Sequence, residues 1–337
     1  MTILETAAAF TWPISGNGYA WMIGQADDGA VPIPFLVDQS LFKSSGTRSA
    51  RRYRPLEDRP TLFLDFADMD ENFSDVSAFV RRFGLLGGDA RAEFVSAWNG
   101  KRVRLNGEPF STWLEQAADM RLAIELWSIA KGAAQAPKSA LHESADGELY
   151  VEISGSHDTD EHSADFAMVQ DECALLMSQS GPAAVVNFWK RRIANDTPLS
   201  SPSDERLLIS SPNYRPERRA IVEMHGPKAA AGILVSEMIN NGLKGRLGAK
   251  IAWSNGDGGE ATFQFGQKPR SLLGALWLQL ATAAQESRSY ERCSSCESWF
   301  EVAPGLGRSD KTYCSTACRM RAYRRRKAAQ EQDMAIA

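Results

Sequence analysis

Apolar residues recur at intervals of three and four along some stretches and alternate along others, and these two periods divide most of the chain into elements. Val76, Phe79, Val80 and Phe83 form one stripe, so a helix is predicted that Ser74 can cap and that Gly84 and Gly87 stop. Trp113, Leu114, Ala117, Met120, Ile124 and Trp127 stand at helical spacing within a longer helix over 111–131. Helical patterns resume over 165–178, 183–193 and 227–240, the last ending at Asn241 and Gly242. A strongly apolar helix, carrying Leu272, Leu273, Leu276, Trp277 and Leu280, follows over 269–285. Strand-like runs lie at 19–23, 31–37 and 149–153, and 62–66 is a short apolar run. Two more, 246–253 and 260–267, flank the sequence SNGDGG, a hairpin signal. The stretches 43–54, 154–161 and 197–216 read as loops. The pattern predicts an α+β protein, a mainly helical body with short strands and a hairpin, and no internal repeat.

Composition narrows the class. The chain has 337 residues with 38 Lys plus Arg against 42 Asp plus Glu, and 43% of it is apolar, enough for a sizeable core. The longest apolar stretch, 271–284, falls short of the roughly 18 to 20 residues of a membrane span and contains Gln279. The first twenty residues hold Glu5 and Pro13 but no Lys or Arg, so they lack the basic start of a secretory signal. A cytoplasmic protein without a transmembrane helix is expected. The charge is uneven: 291–337 carries nine Lys or Arg against six acidic residues, whereas the remainder carries 29 against 36.

Four of the five cysteines share that basic end, as Cys293-x2-Cys296 and, seventeen residues on, Cys314-x3-Cys318. Two close pairs in a reduced cytoplasmic protein point to metal ligation rather than to disulfides. Four thiolates complete a tetrahedral zinc shell, and a closed shell makes one structural Zn2+ the expected cofactor, since catalytic zinc keeps a position open. No His follows His225, which argues against a metal-assisted nuclease. The first pair is predicted in a knuckle-like turn and the second at a helix start capped by Ser315. Trp299, Phe300 and Val302 suit a short strand and Thr312 and Tyr313 a return strand, so knuckle, hairpin and helix would form a treble clef. The predicted domains are a body over 1–287 and a zinc module over 288–337.

RCSSCESWF over 292–300 and YCSTACRMRAYRRR over 313–326 resemble the C-terminal zinc finger of bacterial CGNR-type proteins, described as stress-induced transcriptional regulators. Cys318 is followed here by ArgMetArg where that family has GlyAsnArg. The resemblance covers about 35 residues, with a fainter similarity at TLFLDFA (61–67) and RRFGLL (81–86). It implies Cys293, Cys296, Cys314 and Cys318 as ligands and the Arg-rich helix as a nucleic-acid face.

That helix holds Arg319, Arg321, Arg324, Arg325, Arg326 and Lys327 within nine residues and no acid among them. Arg suits phosphate oxygens and guanine edges, so nucleic acid, DNA before RNA, is the expected partner. The sequence leaves open a solvated terminal helix, a protein-interaction adaptor, a homodimer, and an enzyme whose chemistry lies in the body. No catalytic constellation stands out. The cluster His157, Asp158, Asp160, Glu161 and His162 reads as a solvated loop, and His142 and His225 have no evident partners. Arg48, Arg51, Arg52 and Arg54 make a second basic patch in a loop. Cys173 and Trp113, Trp127, Trp253 and Trp277 fit core packing, and Tyr323 fits packing on the metal module or stacking on a base.

Overall fold

The structure, a computed structural model, describes residues 10–26, 30–42, 49–132, 141–154, 164–197, 199–200, 204–210, 214–215, 217–255, 261–302 and 311–336. Its N-terminal part holds strands Trp12–Ile14 (β1), Tyr19–Gln25 (β2), Ile33–Asp38 (β3), Arg51–Tyr53 (β4), Ala92–Trp98 (β5) and Lys101–Pro109 (β6). Strands β5 and β6 meet at Asn99 and Gly100, both at positive φ (48° and 74°), the backbone that a two-residue Asn-Gly hairpin turn requires. Antiparallel pairing of β2, β3, β6 and β5 closes a small barrel. Phe35, Val37, Phe94 and Leu105 fill its interior. Gly107 is required there, because a Cβ would lie 2.3 Å from the Phe35 ring. This barrel is absent from the helical reading of the sequence. β4 likewise corrects the loop expected over 43–54, since Arg51–Tyr53 pairs with β1.

The helices are Pro55–Asp58 (α1), Leu62–Ala67 (α2), Phe73–Phe83 (α3), Phe110–Lys131 (α4), Phe166–Ser180 (α5), Pro182–Asn195 (α6), Glu217–His225 (α7), Pro227–Leu243 (α8) and Leu272–Gln285 (α9). The remaining body strands are Leu141–Glu143 (β7), Leu149–Ser154 (β8), Ala164–Asp165 (β9), Leu199–Ser200 (β10), Asp204–Ser210 (β11), Leu247–Asn255 (β12) and Ala261–Pro269 (β13). β11 joins β8 and β7 in a three-stranded sheet, which corrects the loop expected over 197–216. β12 and β13 form the expected hairpin, and its turn lies outside the described residues. Asn72, not Ser74, caps α3: its side chain accepts from the Asp75 amide at 2.8 Å, so the helix begins one residue before Ser74. Helix α8 runs one residue past Gly242 to Leu243, and glycine is required at 242 because Trp277 packs on its backbone, where a Cβ would come within 2.1 Å of the indole.

Helix α9 is apolar on nearly every side and is buried along most of its length against α2, α4 and α8, as its sequence requires. Trp113, Trp127, Trp277 and Cys173 are core residues, as expected, while the Trp253 side chain lies outside the described ones. No helix is long and apolar enough to cross a membrane, among the described residues.

A carboxylate lies wholly inside. Glu108, on β6, is fully buried and accepts from the amides of Leu86 (2.9 Å) and Gly87 (2.6 Å), with Arg91 at 3.7 Å. Burial raises its pKa above the ordinary glutamate value against the opposing pull of these three groups. The folded state therefore binds the proton more tightly than the unfolded chain, so this residue's contribution to stability should fall as pH rises through the window above the ordinary value. Thermal unfolding from pH 4 to 8 is expected to show that fall in the native protein relative to Glu108→Gln; parallel profiles would refute it.

Candidate metal centre and basic helix

Helix α9 leads within a few residues into Tyr290–Arg292 (β14), which pairs with Trp299–Glu301 (β15). Cys293 and Cys296 sit in the turn between these strands. The Cys293 amide donates to the Ser298 carbonyl (3.0 Å) and the Glu297 amide to the Cys293 carbonyl (2.8 Å), with Glu297 at φ 60°. This is the predicted knuckle. The second pair stands at the start of the last helix, Thr316–Ile336 (α10), where the Cys318 amide donates to Ser315 Oγ at 3.2 Å. Ser315 thus caps the helix as expected. A backbone bond from the Ser294 amide to the Thr312 carbonyl (3.0 Å) joins the two halves.

The expected return strand is a correction. Thr312 and Tyr313 form no strand among the described residues, and β15 pairs instead with β14, on the N-terminal side of the knuckle. Tyr290 stands opposite Glu301 and Arg292 opposite Trp299, and the Thr312 carbonyl is taken by the Ser294 amide in the knuckle rather than by a strand. What forms is a hairpin bearing two cysteines and a helix bearing two.

The four sulfurs lie within 4.8 Å of one another, with Cys296 to Cys314 at 3.6 Å and Cys314 to Cys318 at 3.5 Å. A tetrahedron of thiolates with metal–sulfur bonds of about 2.3 Å has sulfurs about 3.8 Å apart, so the cage matches one ion in size. Cys293 and Cys318 are buried, Cys314 is half-buried, and Cys296 reaches the surface. Burial works against ionisation of Cys293, but the backbone amides of Cys314, Ser295 and Cys296 outweigh it and bring the thiol down to about 6. Cys296 is lowered chiefly by the Ser298 amide. Burial and the three neighbouring thiols push Cys314 up to about 12. Such a crowd of sulfurs ionises fully only around a cation. These four cysteines can hold a metal ion, and among the described residues they are the group of ligand side chains placed to do so. Phe300, Val302 and Tyr313 pack around them as a core of their own.

Residues with no local signal dock this module on the body. Asp68, just after α2, accepts from Arg292 (2.7 Å) and from the Trp299 indole, and the Arg292 guanidinium lies 4.9 Å from the Trp299 ring. Tyr290 packs edge-on against Phe63 and Trp127. Lys131, at the end of α4, lies over Trp127 and donates to the Ser287 carbonyl, the Arg288 carbonyl and Ser289 Oγ. Sequence reasoning missed this contact surface because its partners lie about 160 to 230 positions apart.

Helix α10 carries the expected cations. Arg319, Arg321, Arg324, Arg325, Arg326 and Lys327 are all exposed, and the five arginines form no ion pair among the described residues. Cys318 and Ala322 turn toward the metal cluster, being buried and half-buried. Tyr323 is 54% exposed and Met320 43%, so the packing expected of Tyr323 does not occur. The second basic patch is partly spent, with Arg52 on Thr11 (3.3 Å) and Arg54 on Glu57 (2.7 Å); Arg48 lies outside the described residues. The cluster from His157 to His162 also lies outside them. His142 stacks on Tyr150 and His225 ends α7, away from any ligand group among the described residues. No family profile, curated protein or solved structure matches the chain.

Proposed function

We propose that this is a zinc-dependent nucleic-acid-binding protein, a bacterial transcriptional regulator in the sense of the CGNR resemblance, with one structural Zn2+ on Cys293, Cys296, Cys314 and Cys318. Zinc suits the donor set because four thiolates in a closed cage favour a soft, redox-inert tetrahedral ion. The observation that carries the nucleic-acid reading is the set of five exposed arginines on a helix whose first turn is anchored in the metal cage. Desolvating that many guanidinium groups without counter-charge is costly, whereas a row of phosphates supplies one anion to each and releases condensed cations. The acidic body does not cancel this attraction, since fields between exposed charges decay within about 8 Å at physiological salt.

Binding of the zinc-loaded chain to random duplex DNA and to single-stranded RNA across a salt series tests the reading. A steep loss of affinity with salt is expected, and replacing Arg324, Arg325 and Arg326 together by Ala should flatten the slope of log K on log salt by up to about 3. No binding at low salt would sink it. Met320 and Tyr323, exposed on the same helix, favour a second reading, an adaptor docking an acidic protein, and that outcome would then be pursued by co-purification.

A further inference from the structure

The arginines of α10 are not equivalent. Ala317, Arg321, Arg324 and Ala328 recur at intervals of four, three and four and therefore lie along one stripe of the helix. Met320 and Arg325 border that stripe, and together these six residues line an open furrow. The stripe of Cys318 and Ala322 faces the cysteine cage, and the stripe of Arg319, Tyr323 and Arg326 lies on a third side. Ala317 and Ala328 leave the two ends of the stripe open, about three helical turns apart, with the guanidinium forks of Arg321 and Arg324 between them and Arg325 on one edge.

Resting on the nucleic-acid reading above, we propose that the furrow face of α10 enters the major groove of duplex DNA, with Arg321 and Arg324 on base edges and Arg325, Arg326 and Lys327 on the flanking phosphates. The fit is one of shape and charge. A helix about 10 to 12 Å across fills a B-form major groove of about 12 Å, whereas the major groove of A-form RNA is too narrow to admit it. Cations on more than one side suit a groove, whose two phosphate walls flank the helix; a single strand lying along one face would leave the others unused. Arg321 and Arg324, three residues apart with Ala317 and Ala328 at the ends of their stripe, can present planar forks to guanine O6 and N7. Met320 beside them offers an apolar contact to a thymine methyl.

The test starts by selecting preferred sites for the full zinc-loaded chain from randomised duplexes, then compares the selected duplex with a scrambled one. Arg321→Ala and Arg324→Ala should each weaken the selected site by about 10- to 100-fold and the scrambled site only a few-fold, while Arg326→Ala weakens both equally. Replacing guanine by 7-deazaguanine in the selected site should reproduce the loss for the native chain and add little in the arginine variants. Zinc content of each variant confirms that the module is intact. If no sequence is enriched, or if Arg321→Ala and Arg324→Ala weaken both duplexes alike, base reading by the furrow is overturned. Equal or tighter binding to duplex RNA or to single strands overturns the groove assignment while nucleic-acid binding stands. Failure to bind any nucleic acid removes both.

Discussion

Chelating the metal, or replacing Cys314 by Ser, is expected to unfold the C-terminal module, to release one equivalent of zinc and to abolish nucleic-acid binding, while the body stays folded. The module has almost no core without its metal. Apart from the cysteines, Phe300 is its one buried apolar side chain among the described residues, with Val302 and Tyr313 only partly covered. Units this small need a metal or a disulfide to fold, and structural zinc contributes apparent binding free energies of about 10 to 16 kcal/mol at neutral pH. Cys314 is the ligand to change, since its sulfur lies within 3.6 Å of those of both Cys296 and Cys318 and so joins the hairpin half of the cage to the helix half. The body has a separate core around α4, α8 and α9 and loses the contacts of Arg288, Ser289, Tyr290, Arg292 and Trp299 at its edge. Hydrogen exchange with metal analysis reads this directly: amides of 290–336 should exchange rapidly after chelation while those of α9 keep their protection. A metal-free chain whose C-terminus remained protected would overturn the metal assignment.

Gln279→Leu is expected to destabilise the body by about 1 to 3 kcal/mol, although leucine is more apolar and matches its neighbours on α9. Gln279 is 5% exposed, accepts from the Phe63 amide (3.1 Å) and donates to the carbonyls of Pro55 (3.0 Å) and Arg59 (2.7 Å). One side chain thus bonds three backbone groups of α1, its following turn and α2; the apolar substitution would strand the Phe63 amide and leave the Pro55 and Arg59 carbonyls with only the Arg59 and Leu62 amides. Denaturant unfolding measures the effect, and a change below about 0.5 kcal/mol would show that these groups find other partners. Because Asp68, which holds Arg292 and Trp299, directly follows α2, the same substitution should also loosen the seat of the metal module.

What the sequence by itself determined is local. Periodic stripes located α3, α4, α8 and α9 to within a few residues, because a helix buries side chains three and four apart whatever lies opposite. The spacing of the cysteines and the Ser315 cap located the metal cage, since two-residue and three-residue loops leave paired sulfurs little freedom to diverge. The tertiary structure alone decided what depends on distant partners. The barrel closes by setting Gly24 opposite Ser96, and neither residue carries a sign of the other. In the sequence Gln279 was a polar interruption of an apolar run; in the fold it holds three backbone groups 216 to 224 positions away. Thr312 and Tyr313 have the composition of a strand, but the Thr312 carbonyl accepts from the Ser294 amide of the knuckle, while β15 pairs with β14. The cations of α10 were all legible, yet which of them share a furrow and which stripe turns to the cage followed only from where Cys318 is held. Period and spacing record contacts made within a turn or two of chain, whereas strand pairing, buried polar bonds and the seat of one unit on another are set by surfaces that meet only when the chain folds.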